Sequence, residues 1–188
     1  VFTTQCETST GVVHDIKAIS PLVKKYGALM IVDSITGIGV HQFLMDEWNI
    51  DVAITGSQKG CMMPPGLAFV CVNSSAWGVI EKADLPRYYW DFRKMRKDLK
   101  DKTTPFTPAV SLVMAMKTAM DMVKKEGLEN VWKRHARLAH ATREGAKALG
   151  LELFAGEYAS NVLTAIKAPK GIDVDKIIKK LRDETGVT

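Results

Sequence analysis

The chain has 188 residues, a quarter of them charged, and a formal net charge of +5. That length suffices for one domain or two small ones with a buried core, and no apolar run approaches the roughly 20 residues that span a bilayer. The mild positive charge is spread along the chain and gives little reason to expect a nucleic-acid partner.

Val1 to Gln5 reads as a short strand and Glu7 to Gly11 as a turn of small residues. Asp15 to Tyr26 has helical spacing, with Ile16, Ile19, Leu22 and Val23 on one face. Pro21 removes a backbone donor inside it, so a restart with Ser20 as N-cap is expected, and Gly27 ends the helix. Ala28 to Val32 is a continuous apolar strand, the kind covered on both faces in a parallel sheet. Asp51 to Thr55 and Leu67 to Val72 follow as strands and Ser75 to Lys82 as a short helix, an order that says α/β.

Arg87 to Lys102 differs in character, mixing Tyr88, Tyr89, Trp90 and Phe92 with many lysines and arginines, and Pro105 and Pro108 then bracket a loop. Two helices are predicted, Val110 to Lys125 stopped by Gly127 and Leu128 to Leu149 stopped by Gly150. Strands over Leu151 to Ala155 and Asn161 to Ala168 and a helix over Val174 to Glu184 complete the chain. A boundary near Gly127 would divide a larger domain (1–127) from the start of a smaller α+β domain (128–188).

Two residues carry the chemical reading. Asp33 follows the apolar run Ala28 to Val32, and Lys59 follows the second run through Ser57-Gln58. In open α/β sheets ligands gather at the carboxyl ends of strands. A lysine held there can act as an amine nucleophile, and an aspartate can keep a pyridine nitrogen protonated. Pyridoxal 5'-phosphate needs both partners, a Schiff-base lysine and a carboxylate facing its ring nitrogen. Taken alone, Lys59 could be a solvated surface charge and Asp33 a cap for the following turn.

The words around the pair narrow the choice. Glu7-Thr8-Ser9-Thr10-Gly11, Val32-Asp33-Ser34, Gly56-Ser57-Gln58-Lys59 and Pro64-Pro65-Gly66 resemble the class V aminotransferases of pyridoxal-phosphate fold type I. Their alanine–glyoxylate and serine–glyoxylate (serine–pyruvate) branch is the nearest. Thr104-Pro105-Phe106-Thr107-Pro108 and Gly127-Leu128-Glu129-Asn130 agree, so the likeness runs over nearly the whole chain. It implies part of a mostly parallel sheet sandwiched by helices, and a transaminase that moves an amino group from alanine or serine to glyoxylate or a similar 2-oxo acid.

The resemblance also implies roles. Lys59 would bind the cofactor covalently and shuttle the substrate's α-proton, and Asp33 would pair with the ring nitrogen. Thr8 would meet the ring hydroxyl region, Ile35 would pack under the ring, and Gln58 would contact the phosphate. Thr107 would reach the phosphate of a neighbouring subunit's cofactor, which implies a homodimer. The chain departs from the family where Gln5-Cys6 stands in place of a histidine and Thr104 in place of a tyrosine. The family's phosphate loop, stacking aromatic and substrate-carboxylate arginine would fall outside Val1 to Thr188, as expected of an internal piece of a longer protein.

Other readings within the same cofactor class are a desulfurase, a phosphoserine-type aminotransferase or a lyase. A desulfurase needs a cysteine on a mobile loop, whereas Cys6, Cys61 and Cys71 sit in strands or beside the lysine. Arg87 to Lys102 could serve a non-catalytic, nucleic-acid-binding fragment, but its aspartates dilute the charge and no recognition motif accompanies it. His14, His41, His135 and His140 lack metal-ligand spacing, so no metal is expected. The odd cysteine count speaks against a disulfide framework and for a reducing, cytoplasmic setting. Met114, Met116, Met120 and Met122 read as core or subunit-interface filling.

Overall fold

A computed structural model describes residues 1–187. Three short runs, β1 (Phe2–Thr4), β4 (Ile31–Asp33) and β5 (Val52–Gly56), pair in parallel, and β6 (Ala68–Val72) adds to β5 antiparallel, giving the order β1-β4-β5-β6. The sheet is therefore mostly parallel, as its unbroken apolar strands require. Register puts Asp33 opposite Thr4 on one side and Ile54 on the other, so the carboxyl ends of β1, β4 and β5 lie side by side. Two strands that the sequence did not indicate, β2 (Cys6–Glu7) and β3 (Val12–Val13), form a separate hairpin beyond the end of β1.

Helix α1 (Ile16–Lys25) connects the hairpin to β4 and is one continuous helix, contrary to the expected restart at Ser20. Asp15 is its N-cap, accepting the Ala18 N–H at 2.9 Å. Lys24 and Lys25 occupy its last turn, where cations suit the helix dipole. Pro21 is tolerated because it lies on the exposed side, where water can satisfy the carbonyl that loses its partner. Ser20 is instead buried, its hydroxyl donating to the Asn49 carbonyl at 3.4 Å. Ile16 and Val23 enter the core with Met30, Val32 and Ile50, flanked by Ile19, Phe43 and Trp48, whereas Leu22 is 64% exposed. Each fully buried aliphatic side chain contributes on the order of 1.5–3 kcal/mol.

Helix α2 (Ser74–Ile80) follows β6, with Asn73 as its N-cap. The basic aromatic stretch contains an unexpected helix, α3 (Phe92–Lys100), capped by Asp91. Tyr89 stacks on Phe106 with centroids 4.6 Å apart, and Lys94 sits over the Phe106 ring. Helices α4 (Val110–Glu126) and α5 (Leu128–Ala148) are separated by Gly127 alone, whose φ of 85° is open to glycine and strained for other residues. Arg134 spans the break, forking onto both Glu126 carboxylate oxygens at 2.7 and 3.0 Å.

The last segment corrects the expected pair of strands over 151–155 and 161–168. Only a single antiparallel bridge, Leu153 with Ile166, forms there, and a short 3-10 turn at Gly156–Tyr158 interrupts the run. Two hydrogen bonds flank the bridge, Phe154 N–H to the Ala165 carbonyl and Lys167 N–H to the Glu152 carbonyl. Ala159, between the two segments, makes a lone antiparallel bridge to Val12 of β3, too short to extend either segment into a strand. Helix α6 (Val174–Thr185) ends the described chain, capped by Asp173 and closed by Gly186.

Candidate functional site

The site lies where β1, β4 and β5 end and turn. Asp33, the last residue of β4, accepts the Ile35 N–H through Oδ1 at 2.9 Å. No partner occupies its Oδ2 among the described residues. Ile35 and Gln58 meet above Gly56, where a Cβ would stand 3.3 Å from Gln58 Oε1 and 3.8 Å from Ile35 Cγ2. The missing side chain thus leaves a cradle between the turn after β4 and the loop after β5. Thr8, in the hairpin turn, lies 3.5 Å from Thr36 through the two hydroxyls, and Thr36 donates to the Cys6 carbonyl at 2.9 Å.

Lys59 and Gln58 are both exposed at the head of the loop that joins β5 to β6. Ser57, fully buried, ties that loop together. Its N–H donates to the Leu67 carbonyl at 3.0 Å, its hydroxyl to the Pro64 carbonyl at 2.7 Å, and its carbonyl accepts the Met63 N–H at 3.1 Å. Asp33, Ile35, Gln58 and Thr8 are therefore brought together by contacts or one intervening residue, with Lys59 next to Gln58 in the chain. Thr107 is exposed ahead of α4 and no described contact joins it to the others.

Beneath this layer lies a set of residues whose mutual contacts the sequence did not predict. Gln5, where the family pattern has a neighbouring histidine, is buried. Its Nε2 donates to the Gln42 carbonyl at 3.1 Å and its Oε1 accepts the Ser34 hydroxyl. Cys6, also buried, donates its thiol to Ser160 Oγ at 3.1 Å and so acts as a small structural donor. His41 Nε2 sits 2.8 Å from Ser160 Oγ and accepts the Asn161 N–H at 3.1 Å. Burial, helped by the positive fields of His135 and Arg143, holds the His41 pKa below its usual value. Burial likewise pushes the Cys61 thiol up, which makes it a poor nucleophile beside the lysine loop. These links join positions far apart in the chain, and only the run of small polar residues after Asp33 hinted at them.

The donor set suits pyridoxal phosphate: a carboxylate with a free oxygen for the ring nitrogen, an amine for the aldehyde, an aliphatic side chain for the ring face, and an amide and hydroxyl for polar substituents. A Cβ at Gly56 would fill part of the space that Ile35 and Gln58 border.

The architecture is that of the pyridoxal-phosphate enzymes of fold type I. Within that class the pattern of the family "Aminotransferase class-V" matches residues 1–188, and the chain belongs to this family, whose members depend on pyridoxal phosphate. A protein of Synechococcus sp. (strain PCC 6716) named soluble hydrogenase, small subunit, is 50% identical over 179 residues, covering 94% of this chain and 46% of that protein. The serine–glyoxylate aminotransferase of Methylorubrum extorquens is 41% identical over 182 residues, covering 92% of this chain and 45% of that protein. The crystal structure of alanine–glyoxylate aminotransferase from Nostoc sp. superposes with a TM-score of 0.92 at 27% identity, covering 98% of this chain and 50% of that one. The chain thus spans about half the length of the relatives it matches.

Proposed function

We propose that the protein carrying this chain transfers an amino group from alanine or serine to glyoxylate or a similar 2-oxo acid. The observation that carries this reading is the placement of Asp33 and Lys59 at the ends of the parallel neighbours β4 and β5, with Ile35 and Gln58 meeting over Gly56. Relatives named for glyoxylate acceptors support the substrate class. No observation on this chain draws the reading toward a hydrogenase.

Bound pyridoxal phosphate would supply the electron sink that lets the substrate's α-proton leave. The chain's own residues do the rest. Asp33 Oδ2 would hold a proton on the ring nitrogen, its carboxylate fixed by the Ile35 N–H to Oδ1. Lys59 Nζ would hold the cofactor covalently, and its amine would take up and return the proton of the substrate's α-carbon. Ile35 supports one face of the ring. Gln58 and Thr8 donate to polar substituents, Gln58 on the phosphate side and Thr8 near the ring hydroxyl. We assign Thr107 to the phosphate site of a second subunit in a homodimer, which its exposure permits. We take residues 1–127 as part of the cofactor-binding domain and 128–188 as the start of a smaller one, a division supported by the helix break at Gly127. The Cys6 thiol, used as a hydrogen-bond donor to Ser160, fits a reducing cytoplasm.

The test is spectral and kinetic. The full-length protein should be yellow, bleach with alanine or serine, and recover its colour with glyoxylate. Lys59→Ala should abolish the covalent attachment and turnover; normal turnover in that variant would end the proposal. A protein that stays coloured with both amino acids would favour another fold type I activity.

A further inference from the structure

We propose that the backbone contact between Gly39 and Gly60 is the positioning device that sets Lys59 against Asp33; the inference rests on the role given to Lys59 above. Lys59 is exposed and its ammonium has no described partner, so the loop backbone must place it. The hydrogen bonds of Ser57, and that of Met62 N–H to the Lys59 carbonyl at 2.9 Å, hold the loop to itself and to β6. Past Gly56, none of the described hydrogen bonds crosses from this loop to the turn that follows Asp33. What meets there is bare backbone. A Cβ on Gly60 would lie 2.1 Å from the Ile38 carbonyl oxygen and 3.1 Å from Gly39 Cα, and one on Gly39 would lie 2.8 Å from the Gly60 oxygen.

The turn on the other side is itself fixed. Ile38 N–H donates to the Ser34 carbonyl at 3.0 Å, and His41 N–H to the Gly37 carbonyl at 2.9 Å. At Gly37 a Cβ would meet Gln5 Oε1 at 2.1 Å, so Gln5 presses the turn from below. Residues 34–41 are therefore a rigid wedge continuous with Asp33, and Gly60, immediately after the lysine, rests on it. The two glycines are not equivalent. Gly39 has φ +89°, where any side chain is strained, whereas Gly60 has an ordinary φ, so Gly60→Ala adds a steric block without a backbone penalty. An apolar cavity of about 300 Å³, lined in part by Ile38, Gly39, Gly60, Cys61 and Trp132, adjoins the contact and gives the loops room to part without unfolding.

The experiment uses the full-length holoenzyme carrying Gly60→Ala, with Gly78→Ala in α2, where a Cβ meets nothing within 4 Å, as the control. Gly60→Ala should stay folded with a lowered thermal midpoint and keep its KM for the amino donor within about two-fold, while kcat falls about 10–100-fold, the size expected of a misplaced catalytic group. The pH midpoint of the bound cofactor's absorbance should shift, because the amine has moved relative to the ring. In a Lys59→Ala background with added methylamine as proton carrier, Gly60→Ala should have no further effect. Gly39→Ala reaches the same contact from the opposite loop and is read in the same way if Gly60→Ala does not fold.

Equal losses with and without Lys59, an unshifted absorbance midpoint, or failure of both variants to fold would overturn the positioning role. Failure of the underlying reading is separate: it would appear as Lys59→Ala keeping both covalent cofactor and turnover.

Discussion

His41 Nε2 stands 2.8 Å from Ser160 Oγ, joining the wedge after β4 to the segment that follows α5. The Asn161 contact fixes the role of the ring nitrogen. Asn161 N–H points at His41 Nε2, so that nitrogen is an acceptor and the ring is neutral with its proton on Nδ1. Ser160 then gives its own proton to His41 and accepts from Val162 N–H and the Cys6 thiol. Protonating Nε2 would set two donors against each other.

Stability should therefore fall with acid. Burial first, then His135 and Arg143, lower the folded-state pKa of His41 from its usual 6.5. The unfolded chain binds this proton more readily, so the contribution is complete above about pH 6.5 and is lost as pH falls toward the depressed value. Thermal midpoints of the parent and His41→Gln between pH 5 and 8 check this. The parent should lose more on acidification, and parallel curves would refute the link.

Asp51 should be the most sensitive polar position in the core. Its carboxylate, fully buried, takes Lys24 Nζ, the Met30 N–H at 2.6 Å and Asn73 Nδ2 at 2.9 Å. Burial pushes its pKa up, but these hydrogen bonds and the Lys24 charge outweigh it and the net shift is downward. Asp51→Ala leaves those donors unmatched and should cost about 3–5 kcal/mol. Lys24→Met should cost less, because Met30 and Asn73 remain. Urea unfolding of both variants measures the order.

Asp33→Asn keeps the shape of the side chain and removes the charge that, on the proposed reading, would hold the ring-nitrogen proton. Turnover in the full-length enzyme should fall about 100-fold or more, the scale of losing a positioned proton-holding group. Lys59 should still be trapped with pyridoxal phosphate by borohydride, which mass spectrometry of the peptide would report.

Gly145 lies exposed inside α5, and a Cβ there meets nothing within 4 Å. Gly145→Ala should raise stability by about 0.5–1 kcal/mol by removing freedom from the unfolded chain. A lowered thermal midpoint would show that a partner surface covers this position.

The central strands, the long helices and the positions of Asp33 and Lys59 at or just past strand ends were legible because each is written locally: apolar runs, glycine stops, a charge at a strand end. What escaped reading depends on distant partners. Pro21 looked like a break, yet Asp15 upstream and the solvent-facing side downstream let α1 continue. Leu153 and Ile166 lie in segments with the composition of strands, but their pairing with each other stops at a single bridge. Gln5, Ser34, Cys6 and Ser160 are ordinary small polar residues in sequence. Their importance comes from being buried against one another at a junction that no local pattern announces.

The antiparallel turn of β6 has a consequence for the order of assembly. β5 and β6 pair residues closer in sequence than those of β1 with β4, so their loop closes at lower entropic cost. The lysine-bearing arch is thus a self-contained unit that can close early, whereas Gln5, which presses on the wedge after Asp33, must await the longer-range docking of β1 onto β4. Its grip on the cofactor and the tuning of that cofactor's reactivity would then be acquired in two kinetic stages. Pulse-labelling hydrogen exchange should show Ser57 and Phe69 protected before Gln5; simultaneous protection would mean that the two halves of the site close together.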